Sequence, residues 1–255
     1  MTQAIQSNSE LLLDAARQAP ALCLILDYDG TLTPIRPLPA LAQPDADLLA
    51  VLQSLCERPD RTVHIVSGRL RTELDRWLGS LSVGLHAEHG VWSRDQPHLP
   101  WRRNVPAVDA WPSELVDALR QSCAMLPGSL LETKTASLAF HFRNVRRDWV
   151  ASTVPSLRNR LAGLAATHRL VVMEGSEVIE IMAQQVSKGN VVRSIAQRLA
   201  PGTAVIAMGD DTTDEEMFRA LPPEALTVRV GVGASVARYR MEGPAQVRAA
   251  LASWV

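Results

Sequence analysis

An α/β fold, a parallel sheet covered by helices and interrupted by a smaller α+β insert, is predicted by three observations on this 255-residue sequence. Short, near-continuous apolar runs alternate with helical periodicity at both ends of the chain, the signature of strands buried on both faces of a parallel sheet. The middle of the chain breaks that alternation. Carboxylates cluster where predicted strands end, the edge at which open α/β sheets bind ligands.

The first strand is expected at 21–27 (ALCLILD), apolar over its whole length until Asp27. A loop rich in breakers follows, Tyr28 to Pro34. Residues 45–57 are expected to be helical, with Leu48, Leu49, Leu52 and Leu55 on one face. Residues 62–66 (TVHIV) give a second strand; Ser67 and Gly68 are expected to open the helix that follows. GLHAEHG (84–90) reads as a strand and turn; its His86, Glu88 and His89 offer no evident third ligand position for zinc. Near the C-terminus the alternation returns as helix 188–199, strand 203–208, helix 211–220, strand 226–230 and helix 244–253.

Between them, residues 111–125 and 147–165 are expected as helices. Strands are expected at 129–133, 137–143, 169–173 and 177–182, with Gly175 marking a hairpin. This pattern predicts an α+β unit over 108–183 inserted into a sheet domain built from 1–107 and 184–255. The Pro-rich stretches 34–44 and 97–112 are expected to be loops.

Composition narrows the function. Lys plus Arg number 26 against 27 Asp plus Glu, a balance that argues against nucleic acid or anionic membrane as partner. Residues 1–10 lack the basic and apolar regions of a secretory signal, and no apolar run is long enough to span a bilayer, so a cytoplasmic location is expected. Three cysteines without C-x-x-C spacing predict neither a disulfide scaffold nor a thiolate zinc site. Oligomeric state is not readable from the sequence.

The informative segment is Asp27-Tyr28-Asp29-Gly30-Thr31. Two carboxylates two positions apart at a strand end converge on one small site. Ser67 after the second strand, Asp210 after the strand at 203–208, and Lys188 at a helix start fall on the same edge. Clustered carboxylates repel one another, and hard oxygen ligands suit Mg²⁺, which also neutralises phosphate charge. The set predicts phosphoryl transfer: Asp27 as nucleophile, Asp29 as acid and then base, and Asp27 and Asp210 as metal ligands with the Asp29 carbonyl. Asp214 is expected as a further ligand or a supporting group, and Ser67, Gly68 and Lys188 as the cradle of the phosphoryl oxygens.

LDYDGTLTPI (26–35), VSGR (66–69), SKG (187–189) and GDDTTDE (209–215) resemble the four motifs of the haloacid-dehalogenase superfamily, in order. With GLHAEHG and LETKTASLAFHFR (131–143), the chain from about residue 20 is similar to the trehalose-6-phosphate phosphatases. The resemblance implies a Rossmann-like core, a cap between the second and third motifs, and Mg²⁺-dependent hydrolysis of a small-molecule sugar phosphate, trehalose 6-phosphate. It implies sugar-gripping roles for Glu132, Lys134, Arg143 and Glu180. In one respect the chain departs from the family, where a lysine often follows the glycine of the G-x-x-V-x-E stretch. Here that position is Ser176, which leaves another phosphorylated disaccharide or pseudo-disaccharide open as substrate. The non-enzyme alternative is a phospho-receiver domain, which gathers a similar polar set but is normally shorter and has no insert.

Overall fold

The structure is a computed structural model and describes residues 12, 14 and 17–255. The signal-free reading of residues 1–10 lies outside the described residues. Two compact units emerge: one of residues up to Arg102 together with Lys188–Val255, the other Arg103–Ser187. The seams fall at 102/103 and 187/188, displaced from the expected 107/108 and 183/184.

In the first unit, β1 (Ala21–Leu26), α1 (Ala46–Cys56), β2 (Arg61–Val66), α2 (Arg71–Leu78) and β3 (Gly84–Ala87) run in chain order. After β3 come two short strands, β4 (Trp92–Arg94) and β5 (Arg102–Arg103). The second unit holds α3 (Ser113–Met125), β6 (Leu130–Thr133), β7 (Ser137–His141), α4 (Arg147–Thr167), β8 (Leu170–Gly175) and β9 (Val178–Ala183). The first unit is completed by α5 (Lys188–Ala196), β10 (Thr203–Gly209), α6 (Thr212–Ala220), β11 (Leu226–Val230), β12 (Tyr239–Met241) and α7 (Pro244–Ser253).

The large sheet has the order β12-β11-β10-β1-β2-β3-β4-β5. Every pairing from β12 to β3 is parallel. β4 pairs with β3 antiparallel, because only four residues connect them and a parallel crossover needs a dozen or more. β1 lies at the centre. Leu22, Leu24 and Leu26 enter the core on one side of the sheet, while Cys23 and Ile25 enter the core on the other. That two-sided burial explains why the run shows no alternation. β2 pairs on one side of β1 and β10 on the other, so the chain order reverses at β1. The crevice of such a sheet lies beyond the carboxyl end of the strand where the order reverses, and there Asp27 follows.

The second unit is a four-stranded antiparallel sheet, β6-β7-β9-β8. Leu138, Phe140, Ile179 and Ile181 pack against Leu115 and Leu119 of α3 and Leu157 and Leu161 of α4. The hairpin β8–β9 closes with Gly175 opposite Val178. Its left-handed residue is Glu177, at φ 63°, rather than Gly175.

Two expectations are corrected. α2 begins at Arg71, not at Ser67, because Leu70 is extended; Ser67 and Gly68 form a separate turn. The stretches read as loops hold a 3₁₀ turn at Pro39–Leu41 and the two residues of β5. Among the described residues no helix is long and apolar enough to cross a membrane.

Candidate active site

Asp27 follows β1 directly, and its N–H donates to the carbonyl of Met208 on β10 (3.0 Å). The carboxylate is buried, at 5% exposure. Lys188, the first residue of α5, is buried with it. Its ammonium donates to Asp27 Oδ1 at 2.5 Å and to Asp214 Oδ1 at 2.8 Å. Asp210, one residue past β10, completes the cluster: oxygens of Asp27, Asp210 and Asp214 all lie within 4.8 Å of one another.

Three carboxylates and one ammonium leave an excess of negative charge. Burial pushes Asp27 well above the usual carboxylate range; Lys188 pulls it down, and Asp214 and Asp210 push it up again. Burial likewise raises Asp210 to about 7, with Asp214 and Asp211 adding to the shift. For Lys188, burial works against the charged form, but Asp214 and Asp27 outweigh it and the amine is held well above its usual value. The proton therefore stays on the lysine, and the remaining charge is what a cation would neutralise.

The donor set fits Mg²⁺. Asp27 and Asp210 offer hard oxygens, and Gly30 lets the backbone approach them. A Cβ at Gly30 would lie 2.0 Å from Asp210 Oδ2, and its φ is +79°. Asp214 is already committed: Oδ1 accepts from Lys188, and Oδ2 accepts from the Asp211 N–H at 2.9 Å. Asp211 in turn caps α6, accepting from the Thr212 N–H at 2.7 Å. The GDDTTDE stretch thus divides its labour, with Asp210 for the cluster, Asp211 for the helix and Asp214 to hold Lys188.

The side chain of Asp29 does not join the cluster. Both its oxygens accept from Arg69, Oδ2 from Nε and Oδ1 from Nη2, each at 2.7 Å. Arg69 also donates to the Pro39 carbonyl at 2.6 Å. The sequence left Arg69 without a role; an arginine three residues past a strand carries no signal of a partner forty positions upstream.

Ser67 is buried, and its N–H donates to the His86 carbonyl at the end of β3 (2.9 Å). Its hydroxyl accepts from the Arg69 N–H at 3.2 Å. The turn is held by Glu88 and His89, whose N–H groups donate to the carbonyls of Arg69 and Ser67, each at 2.9 Å. Both residues adopt left-handed φ, 53° and 55°.

In the second unit, Ala139 of β7 faces Glu132 of β6 and Glu180 of β9. The small alanine leaves room for both carboxylates on one face. Lys134 donates to Glu180 Oε1 at 3.0 Å and sits 4.0 Å from Glu132. Ser137 donates to Glu180 Oε1 at 2.5 Å, and His141 Nε2 lies 3.1 Å from Glu132 Oε2. Burial would raise Glu132, but the His141 bond and the Lys134 charge hold it below its usual value. Arg143 is not in this set. It lies two residues past β7, beside the hairpin, where it donates to the Ser176 carbonyl and pairs with Glu177 at 3.0 Å. Glu132, Lys134 and Glu180 therefore gather with two further groups, Ser137 and His141, while Arg143 stands with Ser176.

A parallel sheet with a buried Asp–Lys–Asp centre beyond its middle strand and an α+β insertion is the architecture of haloacid dehalogenase-like hydrolases. The chain shares the fold of a haloacid dehalogenase-like hydrolase from Bacteroides thetaiotaomicron at a TM-score of 0.62 and 15% identity, covering 91% of this chain and 98% of that one. The likeness tightens within that class. The sequence profile of a family described as trehalose-phosphatase matches residues 25–247, and the chain belongs to that family. It is 36% identical over 243 residues to a bifunctional trehalose-6-phosphate synthase/phosphatase of Thermoproteus tenax, covering 94% of this chain and 33% of the relative. It is 33% identical to a trehalose-phosphatase of Saccharomyces cerevisiae, covering 87% and 27%. The C-terminal domain of a Candida albicans trehalose-6-phosphate phosphatase superposes with a TM-score of 0.90 at 28% identity over 99% of both chains. The chain spans about a third of the length of these curated relatives.

Proposed function

We propose that this chain hydrolyses trehalose 6-phosphate to trehalose and phosphate, with Mg²⁺, through a phosphorylated Asp27. The observation that carries the reading is the buried Lys188 ammonium bridging Asp27 and Asp214 beside Asp210. It supports a carboxylate presented at the crevice of the sheet with a cation held against it. The matched family and relatives named as trehalose-phosphatases support the substrate.

Asp27 and Asp210 would hold Mg²⁺, with the Asp29 carbonyl. When bound, the ion screens the negative charge of the phosphoryl group and of the carboxylates. Asp27 forms a bond to phosphorus as the sugar oxygen departs. Asp29 gives that oxygen a proton, then takes one from the water that cleaves the acyl phosphate. To do so Asp29 exchanges its Arg69 partner for the reacting oxygen. Lys188 shields Asp27 and, with Ser67 and the Gly68 backbone, receives the phosphoryl oxygens. Glu132, Lys134 and Glu180 offer charged donors and acceptors to sugar hydroxyls, and Arg143 contributes from beside the hairpin.

The test is phosphate release across a panel of sugar phosphates, with Mg²⁺ and with EDTA, for wild type and Asp27→Asn. Trehalose 6-phosphate is expected to give the highest kcat/KM, and chelation or D27N to abolish turnover. Because Ser176 stands where a lysine is frequent, other phosphorylated disaccharides belong in the panel; one used as well or better overturns the substrate. Near wild-type turnover by D27N, with deamidation excluded, overturns the mechanism.

A further inference from the structure

The histidine-rich segment at 84–90 meets partners that its own spacing does not suggest. Glu88 and His89 turn onto the Ser67 loop, as described above. His86 looks across the sheet instead. β2 and β3 pair with His64 opposite Gly84 and Val66 opposite His86, so positions 64, 84 and 86 share one face. The imidazoles of His64 and His86 face each other there, with His64 Nδ1 and His86 Nε2 3.1 Å apart.

The third group arrives on the return strand. Asp95 follows β4 directly, and one of its oxygens lies within 4.8 Å of a nitrogen from each ring. We propose that His64, His86 and Asp95 form a second divalent-cation site, separate from the Asp27 centre and suited to Zn²⁺ rather than Mg²⁺.

Four features of the geometry support it. Two Zn–N bonds of about 2.05 Å at a tetrahedral angle place their nitrogens about 3.3 Å apart, close to the 3.1 Å observed. Next, His86 is oriented from behind: its Nδ1 lies 2.8 Å from Ser93 Oγ, directly opposite on β4. A ligand histidine ordinarily has such a partner on its other nitrogen. Third, room is made for the His64 ring by a glycine. A Cβ at Gly84 would sit 2.2 Å from His64 Nδ1, and a glycine inside a buried strand is otherwise a cost. Fourth, His86 is fully buried while His64 and Asp95 are only partly so, which gives the ion a way in.

Two imidazoles and one carboxylate leave a fourth position for water. Imidazole nitrogen suits Zn²⁺ and its neighbours in the series and is a poor ligand for Mg²⁺, so the two centres of this unit sort cations by chemistry. Binding needs no net loss of protons. His86 keeps its Nδ1 proton on Ser93, and the proton between the rings moves to His64 Nε2, leaving both rings neutral. Arg198 competes: it pairs with both oxygens of Asp95, at 3.1 and 3.2 Å. The bound ion would tie β2 to β3 just ahead of Ser67, whose N–H rests on the His86 carbonyl.

The experiment uses the full chain, stripped with EDTA and returned to millimolar Mg²⁺ so that the carboxylate centre is occupied. Zn²⁺ is titrated by calorimetry, and Co²⁺ by its visible absorption. One equivalent of Zn²⁺ is expected to bind and raise the Tm. Co²⁺ is expected to give the spectrum of nitrogen and oxygen coordination. His64→Gln and Asp95→Asn are expected to weaken Zn²⁺ at least tenfold. Arg198→Ala is expected to bind at least threefold tighter, a gain that a folding defect cannot mimic. The proposal is overturned if wild type takes up no Zn²⁺ beside Mg²⁺, if H64Q and D95N bind it like wild type, or if R198A binds no tighter.

Discussion

Replacing Lys188 with Met keeps most of the side-chain volume and removes the charge between Asp27 and Asp214. At 2.5 and 2.8 Å, each ion pair has a Coulomb energy of about 6 kcal/mol at an effective dielectric of about 20. Desolvation of the three groups offsets most of that, and breaking a buried pair costs about 3–5 kcal/mol net. Such a loss is a large part of the roughly 5–15 kcal/mol that holds a domain together. At about 2–4 °C per kcal/mol for a chain of this size, the Tm should fall by roughly 10 °C. Loss of the contact to the attacking carboxylate should lower kcat by about 10²–10³. The measurements are calorimetric melting and steady-state phosphate release at saturating Mg²⁺. A second variant separates the two effects: K188M/D214N removes one of the two stranded carboxylates, so it should regain about half of the lost stability, the share of one of two similar pairs, and none of the turnover. A K188M protein with a Tm within 2 °C and a kcat within tenfold of wild type would show that the lysine does not hold this centre together.

Gly30→Ala places a methyl against Asp210 at a left-handed φ; kcat should fall at least tenfold and Mg²⁺ affinity should drop, and unchanged Mg²⁺ titration would refute the close approach. Glu180→Gln removes the charge that Lys134 and Ser137 share. It should raise KM for trehalose 6-phosphate about tenfold while leaving turnover of a small aryl phosphate within twofold, the cost of one charge-assisted hydrogen bond; equal effects on both substrates would contradict a sugar-binding role. His64 is held neutral by burial, with its pKa lowered to about 4, Asp95 pulling it up and Arg198 down. The unfolded chain takes up that proton near pH 6.5 and the folded chain does not, so stability is intact above pH 6.5. It should decline by up to about 3 kcal/mol as pH falls to 4. Denaturant melts in EDTA should show this slope for wild type and a shallower one for H64Q; identical slopes would remove His64 as its source.

The sheet unit was legible because its strands are covered on both faces. Ala21–Leu26 cannot alternate when both of its sides are core, so a bare apolar run ending in Asp27 sufficed. The grouping of Asp27, Lys188 and Asp210 was legible for a topological reason: residues just past parallel strands share an edge, whatever lies between them in sequence. What escaped reading depends on single side chains crossing long stretches of chain. Arg69 reaching Asp29, and His64 reaching His86 and Asp95, leave no periodic trace. The two- and three-residue strands β4, β5 and β12 are too short for any pattern, and they exist only because an edge was there to pair with. Ser67-Gly68 reads as a helix start because the same residues serve a turn equally well. Only the left-handed pair Glu88–His89, donating back to it, decides the matter.

The second unit ends at Ser187, and the very next residue is the lysine that faces Asp27. Lys188 opens α5 after the turn at 184–187, so an exchanged insert must leave it as the first helical residue: one residue added or lost inside that first turn rotates it by about 100° and carries the amine off its two carboxylates. The downstream joint of the insertion is therefore a constraint on chemistry. Transplanted inserts should tolerate variable length in the turn at 184–187 and beyond the two-residue edge strand Arg102–Arg103, which the upstream seam divides.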